Sequence, residues 1–162
     1  HRAAPVGPEP GHGVQHALVA LPGESRALRS EADRAPWAVA LESPQAGRRA
    51  VHGVIELADA AVATSGDYRR WLQLGSARLS HSMDGRRAAP VNNGVASVTV
   101  LASDCMSADA WATALLVAGP QEGLALAQRM GLEALYLLRR DDGSWVNMGR
   151  GRFATPARQV PV

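Results

Sequence analysis

The chain contains no lysine; all 17 of its Lys/Arg positions are arginine. That excludes a phosphate-loop lysine and a Schiff-base lysine within these 162 residues. A single cysteine, Cys105, can neither close an internal disulfide nor build a thiolate metal cluster. Aromatics are scarce, at four Trp, two Tyr and one Phe, so the core has to rest on Ala, Val and Leu. No apolar run approaches the roughly 18 residues that a bilayer-spanning helix needs. The net charge is only +2, and like charges never run beyond two in a row. With no basic stripe interleaved with aromatics, nucleic acid is not an expected partner.

Hydrophobic residues make up 46% of the chain, enough for one domain with a real core. Residues 1–13 carry Pro5, Pro8, Pro10, Gly7, Gly11 and Gly13 and are expected to form a flexible lead-in. The main domain is expected over residues 14–148, with a loose tail over 149–162. Within it, Gln15–Leu21, Trp37–Leu41, Val51–Leu57 and Ala60–Thr64 are strand-like, and Tyr68–Leu74 with Ala77–Met83 suggest a hairpin around Gly75. Val95–Ala102 is the strongest strand, with β-branched Val95, Val98, Thr99 and Val100. Two helices follow: Ala108–Val117, with Ser107 as the expected N-cap, and a second from Pro120 to about Met130, ended by Gly131. Leu132–Leu138 and Ser144–Met148 read as a closing pair of strands around the Asp141-Asp142-Gly143 turn. There is no strict β-α alternation and no internal repeat. The fold class is α+β, a mostly antiparallel sheet with helices on one face.

Three clusters carry candidate chemistry. Asp109 and Thr113 lie four apart on the expected helix and share one face, where a carboxylate and a hydroxyl offer hard oxygen donors to Mg²⁺ or Ca²⁺. The same residues also suit plain helix structure, since an acid in the first turn favours the helix dipole. His81, with Asp84 three residues on, fits a general base beside an orienting acid, and equally a structural histidine beside a turn aspartate. Thr64-Ser65-Gly66-Asp67-Tyr68 closes a strand with a small, hydroxyl-rich corner, able to face a phosphate or simply to turn the chain. Arg86 and Arg87 are candidate anion ligands, or solvated surface charges.

In their order and spacing, Val62–Tyr68, His81-Ser82-Met83-Asp84, Val95–Ala102, Ala108–Leu115 and Gly119–Leu124 resemble the FAD:protein FMN transferase family, also called the ApbE family. The resemblance runs from about Gly13 to Val146 and implies a T-fold-like architecture. It also implies a reaction in which FAD is split at its pyrophosphate and FMN is joined to a Thr or Ser of a target flavoprotein, with Mg²⁺ neutralising the pyrophosphate. Carried over residue by residue, the resemblance implies His81 as base. It likewise implies Asp109 and Thr113 as metal ligands, and Ser65, Gly66, Asp67, Tyr68 and Arg86 as flavin-nucleotide contacts. Family members usually work outside the cytoplasm, so the resemblance implies a periplasmic or cell-envelope setting. Two segments depart from the family pattern. Gly85-Arg86-Arg87-Ala88 stands where Pro-Arg-Thr-Gly is usual, and Ala20-Leu21-Pro22-Gly23-Glu24 where Asp-Leu-Gly-Gly-Glu is usual. The chain begins at His1 and, by this resemblance, corresponds to the C-terminal half of a family member. A partner is therefore expected in its own N-terminal half. The departures leave a second expectation open, a non-catalytic flavin- or protein-binding module in flavoprotein maturation.

Overall fold

Val95–Ala102 is buried along its whole length except at Ala102. A strand can be apolar on both faces only where both faces are covered, and the two covers organise the molecule. The computed structural model describes residues 16–29, 35–44, 50–67, 71–74, 77–140, 142 and 144–154. Its elements are β1 (Ala17–Leu21), β2 (Glu24–Leu28), β3 (Trp37–Glu42), β4 (Val51–Leu57), β5 (Ala61–Gly66), β6 (Trp71–Leu74), β7 (Ala77–Ser80), β8 (Met83–Asp84), β9 (Ala89–Pro90), β10 (Val95–Ala102), α1 (Cys105–Arg129), β11 (Glu133–Arg139) and β12 (Trp145–Arg150). A 3-10 turn, Gly151–Phe153, follows. Six strands form one sheet in the order β1-β2-β5-β10-β11-β12, and β3-β4, β6-β7 and β8-β9 pair separately. Every pairing is antiparallel. The α+β class holds.

The period of two along β10 divides its side chains between the covers. Val98 and Val100 pack with Leu115, Leu116, Ala112 and Ala127 of α1 and with Tyr136 of β11. Leu101 faces the other way, joining Val62, Leu135 and Leu137 against Leu41, Ile55 and Leu57 of the β3-β4 hairpin. The helix therefore takes one face, as expected, and a hairpin takes the other.

The expected break between two helices lies inside α1. Gly119 adopts φ 80°, ψ 176°, and Pro120 follows it. The ladder bonds that Leu115 and Leu116 would accept come from residues 119 and 120, and proline has no N–H to give. Two side chains satisfy the orphaned carbonyls: Tyr136 Oη donates to Leu115 at 2.9 Å, and Asn93 Nδ2 donates to Leu116 at 2.8 Å. Gly123 is what lets Tyr136 in, because a Cβ there would lie 1.8 Å from its hydroxyl.

The N-cap is Asp104, three residues before the expected Ser107. Its carboxylate accepts from the Ser107 N–H at 2.8 Å and from the Ser107 hydroxyl at 2.9 Å. These bonds hold the Asp104 carboxyl below the usual carboxylate range, the backbone bond first. At the far end Gly131, φ 66°, takes the left-handed position, and Leu132 N–H reaches Ala127 O at 2.9 Å.

The tail expected to be loose from Gly149 is tied down as far as Ala154. β12 continues to Arg150, Phe153 is buried, and Arg152 donates its backbone N–H to the Glu133 carboxylate at 2.6 Å. Arg and Gly content suggests a loose end, whereas the β11-β12 ladder, buried Phe153 and the Arg152–Glu133 pair hold the segment. Residues 1–15, which include the expected lead-in, and residues 155–162 lie outside the described residues, as do Gly75, Asp141 and Gly143 of the two expected turns. Among the described residues, no helix is long and apolar enough to cross a membrane.

Candidate active site

Small side chains bring α1 against β5. Ala61 and Ala63 on the strand and Ala108 on the helix are all fully buried together. One turn beyond that contact, two hydroxyls meet: Ser65 Oγ lies 2.8 Å from Thr113 Oγ1. Strand alternation sends the preceding residue to the opposite face, where the Thr64 and Thr99 hydroxyls pair at 2.8 Å. The β1-β2 turn closes beside them, with Gly23 at φ 103° accepting from Thr64 N–H at 2.8 Å. Only glycine adopts that φ without strain.

A cleft of about 770 Å³ opens at this corner. Ser65 and Gly66 from β5, His81 from the segment after β7, and Asp109 and Thr113 from α1 all line it. Much of the rest of its wall comes from the β1-β2 turn from Leu21 to Ser25 and from Val39, Leu41, Glu42 and Val51 of the β3-β4 hairpin, with Val62 and Thr64 of β5. Segments distant in sequence, such as those of Ser65 and Thr113 at a separation of 48 residues, thus share one space. Both His81 and Asp109 are solvent-accessible.

The other candidate residues fall away from this corner. Asp67 is ion-paired with Arg139 at 3.5 Å, and Arg139 lies over the Trp145 ring at 5.4 Å. Arg86 does not line the cleft; it bonds Asp84 at 3.2 Å and Glu122 at 3.4 Å. Asp84 is buried and accepts from the Arg86 guanidinium and, at 3.0 Å, from the Arg86 backbone N–H. The guanidinium, then the backbone bond, holds the Asp84 carboxyl below its usual range. The turn at Asp84–Arg87 is closed by the Arg87 N–H to Asp84 O bond at 3.1 Å. Tyr68 lies outside the described residues.

No group of three His, Cys, Asp or Glu that would suit a metal occurs among the described residues. At its α1 corner the cleft instead offers the Asp109 carboxylate with the hydroxyls of Thr113 and Ser65, while Glu24 and Glu42 stand elsewhere on its wall. That donor set fits Mg²⁺, which binds through one or two carboxylates and completes its shell with water and substrate phosphates. It does not suit a soft transition metal. The hairpin wall was not legible as part of a site, because Val39, Leu41 and Val51 look like any strand residues until β3-β4 folds over the sheet.

Residues 10–136 match the model of the ApbE family. The chain is 40% identical over 131 residues to the FAD:protein FMN transferase of Vibrio cholerae serotype O1, a match covering 81% of this chain and 39% of that protein. It is 33% identical over 133 residues to the FAD:protein FMN transferase of Escherichia coli K12, covering 82% and 38%. Among solved structures, it superposes on the flavin transferase ApbE from Vibrio cholerae with a TM-score of 0.73 at 37% identity, covering 87% of this chain and 44% of that one. The ApbE protein of Thermotoga maritima gives a TM-score of 0.74 at 30% identity, covering 89% and 45%. The chain spans about two-fifths of the length of these relatives.

Proposed function

The chain belongs to the ApbE family, and from that premise we propose that it is the C-terminal part of an FAD:protein FMN transferase. The observation that carries this reading is the convergence of Ser65, Gly66, His81, Asp109 and Thr113 on one cleft from three separate parts of the chain. The cleft receives the pyrophosphate of FAD. His81 takes the proton of an acceptor Thr or Ser hydroxyl as that oxygen attacks the phosphorus on the FMN side. The new P–O bond joins FMN to the target, the pyrophosphate P–O bond breaks, and AMP leaves. Asp109 and Thr113 would hold Mg²⁺, which when bound would offset the charge developing on the leaving phosphate. Asp109 supplies the charge for that site and Thr113 a neutral oxygen. Ser65 and Gly66 form the small corner that leaves room for the phosphates. The partner is a target flavoprotein, and the setting proposed from family resemblance is the periplasm or cell envelope.

The test is incubation of the full-length protein with FAD, Mg²⁺ and a target bearing the acceptor residue, followed by intact mass of the target. A gain equal to FMN supports the reading. A second reading, a non-catalytic flavin-binding module, is favoured by one observation: Arg86 is held by Asp84 and Glu122 and does not line the cleft. Tight FAD binding with no mass gain on the target would select that second reading.

A further inference from the structure

We infer that Ser65 is a positioning residue, acting through the hydroxyl of Thr113 to set a divalent-cation site. The inference rests on the proposed role of Thr113 and deepens it. A hydroxyl that offers a lone pair to a cation still carries a proton, and that proton needs an acceptor. Otherwise the hydroxyl rotates freely and its lone pair points at the cation only part of the time. Ser65 Oγ lies 2.8 Å from Thr113 Oγ1, and either oxygen can be the donor. A cation on the Thr113 oxygen makes its O–H the better donor and the oxygen the poorer acceptor, so the favoured direction has Thr113 donating to Ser65 with a Thr113 lone pair turned toward the cation.

The surrounding packing keeps the two oxygens in reach. Ser65 sits opposite Val98 in the β5-β10 ladder, so its side chain is committed to the helix face. The helix is drawn onto that face by Ala61, Ala63 and Ala108, none of which leaves any exposed surface. Larger side chains at these positions would hold α1 away from the strand and part the hydroxyls. Asp109 lies one turn before Thr113 and lines the same cleft, so the oriented hydroxyl and the carboxylate face one space.

The experiment is Mn²⁺ titration of the full-length protein, with free Mn²⁺ read by electron paramagnetic resonance, for wild type, Ser65→Ala, Ser65→Thr, Thr113→Ala and the Ser65→Ala/Thr113→Ala double variant. Loss of a ligand-orienting partner typically weakens metal binding by about 10–100-fold, so Ser65→Ala is expected to raise the Mn²⁺ Kd by about tenfold. Ser65→Thr, which keeps the hydroxyl, is expected to restore it. The double variant is expected to bind no more weakly than Thr113→Ala, because Ser65 has nothing left to orient. Thermal melting controls for the fold. Weakened binding in Thr113→Ala with wild-type binding in Ser65→Ala, or losses that multiply in the double variant, would overturn the inference and leave the proposed metal site standing. Wild-type binding in Thr113→Ala would overturn the proposed metal role of Thr113 itself, and the inference with it.

Discussion

Two regions of α1 treat their polar groups in opposite ways. At the break around Gly119, the carbonyls of Leu115 and Leu116 each find a partner within the protein, the buried Tyr136 for Leu115 and the half-buried Asn93 for Leu116. At the other end, Asp109 and Thr113 are left facing an open cleft beside Ser65 and His81. Both are departures from plain helix packing. One is closed by the protein itself, and the other is open to something from solution. On the proposed reading, the difference separates stability from function within a single helix. Damage at the break is expected to unfold the protein, and damage at the cleft is expected to leave the fold intact and remove the chemistry.

The largest expected effect is at the closed end. Leu115 has no exposed surface, and Leu115→Ala is expected to cost about 2–5 kcal/mol of stability, measured by urea denaturation. Gly123→Ala places a methyl 1.8 Å from the Tyr136 hydroxyl. Overpacking of that kind costs about 1–3 kcal/mol, and the same titration should show it. Tyr136→Phe leaves the Leu115 carbonyl buried without a donor, for about 1–3 kcal/mol. If Gly123→Ala melts like wild type, the break is looser than the contact requires and the comparison loses one side.

A smaller effect should appear with pH. Burial raises the Glu133 carboxyl, but the Arg152 backbone and guanidinium bonds together outweigh it, so the folded-state pKa lies below the ordinary value. Asp84 and Asp104 are shifted in the same direction by their own hydrogen bonds. Depressed carboxylates stabilise the fold above their unfolded pKa, near 4, and that stabilisation is lost as pH falls through the folded values. Melting temperature should therefore drop below about pH 4, and Arg152→Gln should shallow the drop. Smallest of all is the expected effect of Asp109→Ala on stability, within about 0.5 kcal/mol for an exposed residue.

The closed end was partly legible in the sequence, because Gly119-Pro120 is a strong local signal and Gly131 marks a helix end. Val95–Ala102 was legible too, since a continuous β-branched run has few alternatives. β2 was missed: Glu24-Ser25-Arg26-Ala27-Leu28 lacks an apolar alternation and is a strand because β1 and β5 flank it. The partners Tyr136 and Asn93 act across long sequence separations that no local pattern encodes. Ser107 was expected as the cap although Asp104 is, because both are capping residue types within one turn and only the helix start decides between them. Candidate site residues were legible as separate clusters, ambiguous one by one, and their order against a known family joined them. The structure adds the Ser65–Thr113 contact and the hairpin wall, both products of packing between distant segments.

The most direct test of the open end compares the rate of covalent flavin attachment by the full-length protein before and after Asp109→Ala, with Tm measured on the same samples. Tm is expected to be preserved while attachment falls about a hundredfold or more, the scale expected when a group stabilising transition-state charge is removed. Attachment at the wild-type rate in a folded Asp109→Ala variant would contradict the proposed role of the cleft.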